Sequence, residues 1–339
     1  MKIEFTNLYK ATKNHSKINK KIIELIKKNQ FIGGDPVKRF EKNFSKFVGS
    51  KYCVGVGNGT DALEIALESL DLPSNSEIIV PTNTWISTAE IVVRLGHKVV
   101  FCDVDLSDYT ILIADLYRKI NNKTKAIIPV HLYGNPSNME MVLKLAKKNN
   151  IKIIEDCAQA HGAKYKKKHV GTIGDLGTFS FFPGKNLGAY GDAGCIVTNN
   201  KKLAERCLRL RNHGSLTKHD HQLIGKNSRL DAIQSAILDI KLKTFNKDIL
   251  NLRTKLAEIY LKELKGIKEI QLIKKKIYAT NAYHQFVIRT ARRDELKKYL
   301  SLKKIQTMIH YPHMLSELKI FKNQKGFQNL YFSKELGKK

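Results

Sequence analysis

The sequence predicts an α/β chain with a mostly parallel sheet, followed by a smaller α+β part. Three observations predict it. Short apolar runs alternate with amphipathic helical stretches through the first part of the chain. Glycine turns and polar residues follow the ends of several of those runs. From Asp231 onward, long lysine-rich amphipathic stretches replace the alternation. Parallel strands need a crossover of about a dozen residues, which a helix supplies, so the alternation implies βαβ units. With 339 residues the chain exceeds a typical single core, and two domains are expected.

The elements follow in order. Val37, Phe40, Phe44 and Phe47 recur at helical spacing. Tyr52–Val56 reads as a strand, and Thr60–Ser69 as a helix with Leu63, Ala66 and Leu67 inward. Strands over Glu77–Val80 and Lys98–Val104 flank a helix over Thr84–Leu95. A strand at Ala126–Val130, a helix at Asn138–Lys148 and a strand at Ile151–Glu155 continue the pattern. Gly177–Phe181 and Gly194–Val197 are two more strands. Helices are expected over Asp231–Lys241 and Thr244–Lys265. After them come a strand over Ala282–Ile288, a helix over Arg293–Lys303 and a strand over Gln306–Ile309. The domain boundary is placed near Lys243, giving a large domain over 1–243 and a small one over 244–339. With no Pro/Gly/Ser-rich linker between them, the second domain is expected to be fixed rather than tethered.

Charge and cysteine usage narrow the class. Lysine and arginine number 60 against 31 acidic residues, formally +29. Such a balance suits nucleic-acid binding. The lysines are scattered, however, and no helix-turn-helix, zinc finger or RNP-type motif accompanies them. A solvated lysine-rich surface is the preferred reading, and its positive field helps attract a phosphorylated substrate. The five cysteines have no CxxC or Cys/His spacing, so they are read as reduced thiols of a cytoplasmic protein with no metal site. The first residues show no secretory h-region, and no apolar run is long enough to span a bilayer.

The chemistry concentrates between Ile151 and Gly194. The apolar strand ends in Glu155-Asp156, so Asp156 is aimed at the ligand edge of a parallel sheet. Gln159 and His161 follow. The aromatic strand Thr178–Phe182 runs into Pro183-Gly184-Lys185. Pyridoxal phosphate (PLP) chemistry needs groups of these types. A lysine amine forms a Schiff base and shuttles protons, and a carboxylate keeps the pyridine nitrogen protonated. The phosphate needs N–H groups at a helix start, which Gly57-Asn58-Gly59-Thr60 supplies, with Ser180 adding a hydroxyl. The lone tryptophan, Trp85, follows a strand end and offers a face to cover the ring. Singly, each residue has a plainer reading: Asp156 a helix cap, Lys185 a solvated charge, the glycines ordinary turns, Trp85 core. Their arrangement at successive strand ends favours a joint site.

These stretches resemble the DegT/DnrJ/EryC1/StrS family of PLP-dependent nucleotide-sugar aminotransferases. The similarity runs from about Asn7 to about Lys338 and is carried by NGTDAL at Asn58, VPTNTWIST at Val80 and KAIIPVHLYGNPSNM at Lys125. IIEDCAQAHGA at Ile153, GDLGTFSFFPGKNLGAYGDAG at Gly174 and GKNSRLDAIQSAIL at Gly225 continue it. The resemblance implies an aspartate-aminotransferase-like fold (PLP fold type I) with a small C-terminal domain. It implies that Lys185 carries the Schiff base, Asp156 pairs with the pyridine nitrogen and Gln159 touches the ring hydroxyl. Thr60, the Asp61 backbone and Ser180 would hold the phosphate, and Trp85 would stack on the ring. Asn227 would reach the phosphate of the neighbouring subunit's cofactor, which implies a homodimer with shared sites. The implied reaction moves an amino group from L-glutamate to the 3- or 4-keto sugar, often 6-deoxy, of a nucleoside diphosphate, for surface polysaccharide or related amino-sugar synthesis.

The sequence departs from the family pattern in places. Lys226 stands where an aromatic or small residue is commoner. The proline and histidine usual beyond His310-Tyr311-Pro312 are absent. Family members continue past the equivalent of Gly337 with a strand and helix, so an incomplete small domain is expected. The same fold also serves two other functions. Related dehydratases carry histidine in place of the Schiff-base lysine, and Lys185 argues against that activity. A non-catalytic regulatory or nucleic-acid-binding protein on the same fold is the alternative from another class, motivated by the charge.

Overall fold

The computed structural model describes residues 2–324 and 330–336; the end of the expected small domain, 337–339, lies outside the described residues. Seven strands form the main sheet: β1 Tyr52–Val56, β2 Glu77–Pro81, β3 Lys98–Cys102, β4 Thr124–Ile127, β5 Lys152–Asp156, β6 Leu176–Ser180 and β7 Gly194–Thr198. Their order is β1-β7-β6-β5-β4-β2-β3. Every neighbouring pair is parallel except those of β7, which runs antiparallel to both β1 and β6. The carboxyl ends of the six co-directional strands therefore share one edge.

Successive side chains of a strand point to opposite faces. Ile78 and Val80 accordingly join one core layer while Ile79 joins the other, and Ile153 and Ile154 divide the same way. Both faces are covered, as parallel sheets require. On one side the helix Gly34–Val48 packs on the helix Ala232–Leu242. Its Phe40 and Phe44 meet Phe179 and Phe181 edge to face, with ring centroids 5.1–5.3 Å apart. Truncating Phe44, fully buried, to alanine would cost about 3–5 kcal/mol. The opposite layer takes its apolar residues from the helices Gly59–Ser69, Ser87–Arg94 and Lys201–Leu210.

The expected large-domain elements are present, shifted by a few residues at their ends. Beyond Lys243 two expectations fail. Ala282–Ile288 is not a strand; only Ile288–Arg289 pairs, with Gln271–Leu272. The backbone of this segment is spent on the large domain instead. Ala282 and His284 donate to the carbonyls of Gly134 and Tyr133, both at 2.9 Å. Arg253 Nη1 donates to the Tyr283 and His284 carbonyls, and Tyr283 itself lies at positive φ, which breaks an extended run. Gln306–Ile309 forms no strand; its nearest sheet-like contact is a single bridge between Ile305 and Ile3. The helix expected over Thr244–Lys265 is present as a π-helical turn, Asn246–Leu250, running into an α-helix, Asn251–Glu263. The connection between β6 and β7, residues 181–193, is pinned where it leaves and re-enters the sheet: Phe181 N–H donates to Ala193 O at 2.7 Å. No helix among the described residues is long and apolar enough to cross a membrane.

Candidate active site

The carboxyl edge of the sheet gathers most of the predicted residues. Asp156 ends β5 and is 5% exposed. Its carboxylate accepts from Thr88 Oγ1 at 2.9 Å and from the Ala158 N–H at 3.1 Å. Burial pushes its pKa up, and those two donors and the charge of Lys185 pull against the rise. Lys185 sits in the β6–β7 connection, its backbone N–H bonded to Phe182 O at 2.8 Å. Burial lowers the lysine pKa, and Asp156 opposes that shift. Among the described residues Nζ makes no hydrogen bond or ion pair, which leaves the amine available to a ligand.

Three imidazoles surround this lysine electrostatically: His161, His284 and His310. Burial is the main cause of each lowered pKa, with the Lys185 charge adding to it, and His161 is pushed down to about 3. His161 is fully buried against the rings of Phe179 and Phe181, and neither ring nitrogen has a partner. His284 Nδ1 pairs with Asn186 Oδ1 at 3.2 Å, and Asn186 Nδ2 donates to Ala282 O at 2.8 Å. The residue beside the lysine is thus tied to the segment after the long helices.

The phosphate side is built on the helix Gly59–Ser69. Asn58 is its N-cap, and its Oδ1 accepts from the Asp61 N–H at 2.8 Å. The Asp61 N–H is therefore occupied. The N–H groups of Gly59 and Thr60 make no hydrogen bond among the described residues, and they are the helix-start donors left for an anion. Thr60 Oγ1 bonds Ser87 Oγ at 2.7 Å. Ser180 closes the cradle from β6. A Cβ added at Gly59 would stand 2.5 Å from Ser180 Cβ, so only glycine lets the helix start approach this strand end. Two orphaned helix N–H groups, two hydroxyls, a buried carboxylate and an unpaired amine fit PLP.

Gln159 lies deeper, with its Oε1 accepting from Tyr133 N–H at 2.7 Å. Trp85 stands 60% exposed at the rim, its ring 6.1 Å from that of Tyr311. Asn227 is the residue not brought in: it is exposed and bridged to Asn212, and among the described residues no hydrogen bond joins it to the other site residues. Sequence reasoning did not assign roles to Thr88, Asn186, His284 or Tyr311. Thr88 stood within the quoted stretch at Val80, three residues after Trp85, and that spacing was the available signal. His131, Glu155 and Cys157 have ligand atoms within 4.8 Å of one another. Their atoms are already engaged: Glu155 accepts from Gly171, Ile173 and Gly174 N–H groups and from His131 Nε2, while His131 Nδ1 accepts from Ser137 N–H. This trio props β5 from behind.

The chain is similar to known proteins over most of its length. The family model for the DegT/DnrJ/EryC1/StrS aminotransferase family matches residues 12–336. A Geobacillus stearothermophilus protein named a pleiotropic regulatory protein is 41% identical over 85% of this chain and 78% of its own length. A dTDP-3-amino-3,6-dideoxy-alpha-D-galactopyranose transaminase of Aneurinibacillus thermoaerophilus is 42% identical over 91% of this chain and 85% of its own. Among solved structures, S. venezuelae DesV in complex with a ketimine intermediate superposes with a TM-score of 0.93 at 35% identity, covering 96% of this chain and 87% of that one.

Proposed function

This chain belongs to the DegT/DnrJ/EryC1/StrS aminotransferase family, a PLP-dependent family, and from that premise we propose that it aminates a 3- or 4-keto sugar of a nucleoside diphosphate with L-glutamate as donor. The observation that carries this reading is the amine of Lys185, unpaired and electrostatically coupled to the buried Asp156 carboxylate at the edge where parallel sheets bind ligands. When bound, PLP supplies the electron sink for proton removal from the amino-bearing carbon.

The residues divide the work. Lys185 Nζ would hold the cofactor as a Schiff base, and its amine would supply the group that moves the proton. A neutral amine is required for that step, and burial lowers the lysine pKa in that direction. Asp156 would keep the cofactor's ring nitrogen protonated, and Thr88 and the Ala158 N–H hold its carboxylate in place. Gly59, Thr60 and Ser180 would hold the phosphate. Trp85 would stack on the ring from the rim.

A homodimer completes the reading. Asn227 is exposed beside a stretch carrying the exposed side chains of Leu216 and Ile224, which supports its facing a second copy. The large domain is taken to end near Lys243, where the helix Ala232–Leu242 stops before the π-helical turn.

The test is spectroscopic and chemical. The full chain with PLP should show a visible Schiff-base band that L-glutamate bleaches, and Lys185→Ala should lack the band. Mass spectrometry of reactions with a panel of nucleotide keto sugars should find an amino product for at least one. Native-rate transamination by Lys185→Ala would refute the reading.

A further inference from the structure

The helix that offers Gly59 and Thr60 to an anion carries carboxylates of its own. Asp61, Glu64 and Glu68 fall at spacings of three and four, on one face. Asp61 lies in the first turn, beside the place where a phosphate would sit. An acidic first turn suits the helix dipole but repels a bound dianion. The burial of these groups strengthens that repulsion: Glu64 is 8% exposed, and burial together with Glu64 raises the pKa of Glu68.

Lys226 answers the repulsion. Its Nζ lies 2.8 Å from Asp61 Oδ1 and 2.8 Å from Glu64 Oε2. Its pKa is raised: burial opposes the charge, and the two carboxylates more than offset it, so the ammonium stays charged. Arg94 Nε reaches the other Glu64 oxygen at 3.3 Å, from a largely exposed position. The second Asp61 oxygen accepts from Ser228 Oγ at 2.7 Å and Asn58 Nδ2 at 3.0 Å. The Gly57 N–H donates to the same serine oxygen at 3.0 Å. One short segment, 226–228, therefore grips the turn that begins the helix from both sides of Asp61.

We propose that Lys226 is a positioning residue for the cofactor phosphate: its ammonium offsets the charge of Asp61 and Glu64, so that the helix start accepts a dianion. This rests on the function proposed above. It makes Lys226 act on the phosphate through the carboxylates, without touching it.

The experiment titrates the cofactor-free full chain with PLP and, separately, with pyridoxal, which lacks the phosphate. Binding is read from the visible band and from Trp85 fluorescence. Lys226→Met should weaken PLP about tenfold, the scale of one charge contact at a half-buried site, and leave pyridoxal unchanged. Lys226→Arg should bind PLP within about twofold of the parent, by the same reckoning. Adding Glu64→Gln to Lys226→Met should recover most of the loss, because one repelling charge is gone. Glu64→Gln alone should bind PLP at least as tightly as the parent, which keeps the idea testable if Lys226→Met misfolds. Equal PLP affinity of Lys226→Met and parent would overturn the proposal, as would an equal loss for pyridoxal or no recovery in the double variant. A parent chain that forms no band with PLP would instead sink the functional reading itself.

Discussion

The side-chain amide of Gln159 donates to the phenol oxygen of Tyr311 at 2.9 Å. The other end of that amide is taken by the Tyr133 N–H, so this is its free donor. The resemblance implies that Gln159 touches the cofactor ring hydroxyl. Phenol and ring hydroxyl would draw on the two N–H bonds of one amide, and an amide held by the phenol is less free to turn towards the ring. Burial, above all, pushes the Tyr311 pKa up to about 12, so the phenol remains neutral and keeps its proton. Removing it with Tyr311→Phe is expected to tighten PLP binding roughly fivefold, the scale of one net hydrogen bond. A fluorescence titration checks this, and weaker binding would show that the phenol supports the ring instead.

Asp156→Asn should retain PLP and lose most of the rate. A fall of two to four powers of ten corresponds to roughly 3–5 kcal/mol of barrier. Thr88→Val removes the donor 2.9 Å from Asp156 and should raise the carboxyl pKa further. The acidic limb of kcat/KM then moves to higher pH, since the ionised form is lost earlier as pH falls. Steady-state profiles from both variants check this, and a kinetically silent Asp156→Asn contradicts the assigned role.

Asn227 should serve its neighbour. Mixed subunits, one carrying Lys185→Ala and the other Asn227→Asp, place both intact residues in one of two hybrid sites. Recovery of up to about half the parental activity is expected from that geometry. Verified heterodimers without recovery would mean that each chain completes its own site.

Stability of the cofactor-free chain should fall with acid. His161 has an ordinary value of 6.5 and is held at about 3 in the folded state, so the unfolded chain takes up a proton that the folded one refuses. Its stabilising contribution is present above pH 6.5 and is lost as pH falls from 6.5 towards 3. At one proton the slope is about 1.4 kcal/mol per pH unit, or roughly 2 kcal/mol between pH 6.5 and 5. His161→Leu should flatten this part of the curve. Leucine also removes two unpartnered buried nitrogens, so no large loss is expected at neutral pH. Denaturant melts across this pH range test both statements.

The sheet was legible because its strands are short apolar runs punctuated by glycine and polar residues, and parallel strands bury both faces. Asp156 was legible at the ligand edge for a related reason, since it closes β5, whereas Lys185 lies in the connection after β6, where no strand end fixes its direction. Beyond Lys243 the helices were legible and the strands were not. Ala282–Ile288 has strand composition, but its backbone partners lie at Tyr133 and Gly134, about 150 residues earlier, and local pattern holds no trace of them. The Asp61 N–H, expected at the phosphate, donates here to Asn58 Oδ1. Whether a helix-start donor is free depends on its cap, and Asn58 had already claimed it. Tyr311 and Lys226 act through contacts across more than 150 residues, which spacing along the chain cannot reveal.

The antiparallel turn of β7 fixes how the lysine is delivered. A strand parallel to β6 would need its chain to travel to the far edge before returning, and Lys185 would ride on an open crossover. Because β7 turns back at once, residues 181–193 form a closed lariat standing on the sheet. Its neck is tied by the Phe181 and Ala193 pair and again by Ala189 N–H to Phe181 O at 2.8 Å. Lys241 Nζ and Gln234 Oε1 strap its far side, to Gly188 O at 2.7 Å and to the Tyr190 N–H at 2.8 Å. Amide protons at Phe181 and Ala189 should exchange with solvent as slowly as those inside the strands, although they lie in a connection. A lengthened neck would let the amine swing, and the tether would lose its aim before the fold lost its stability.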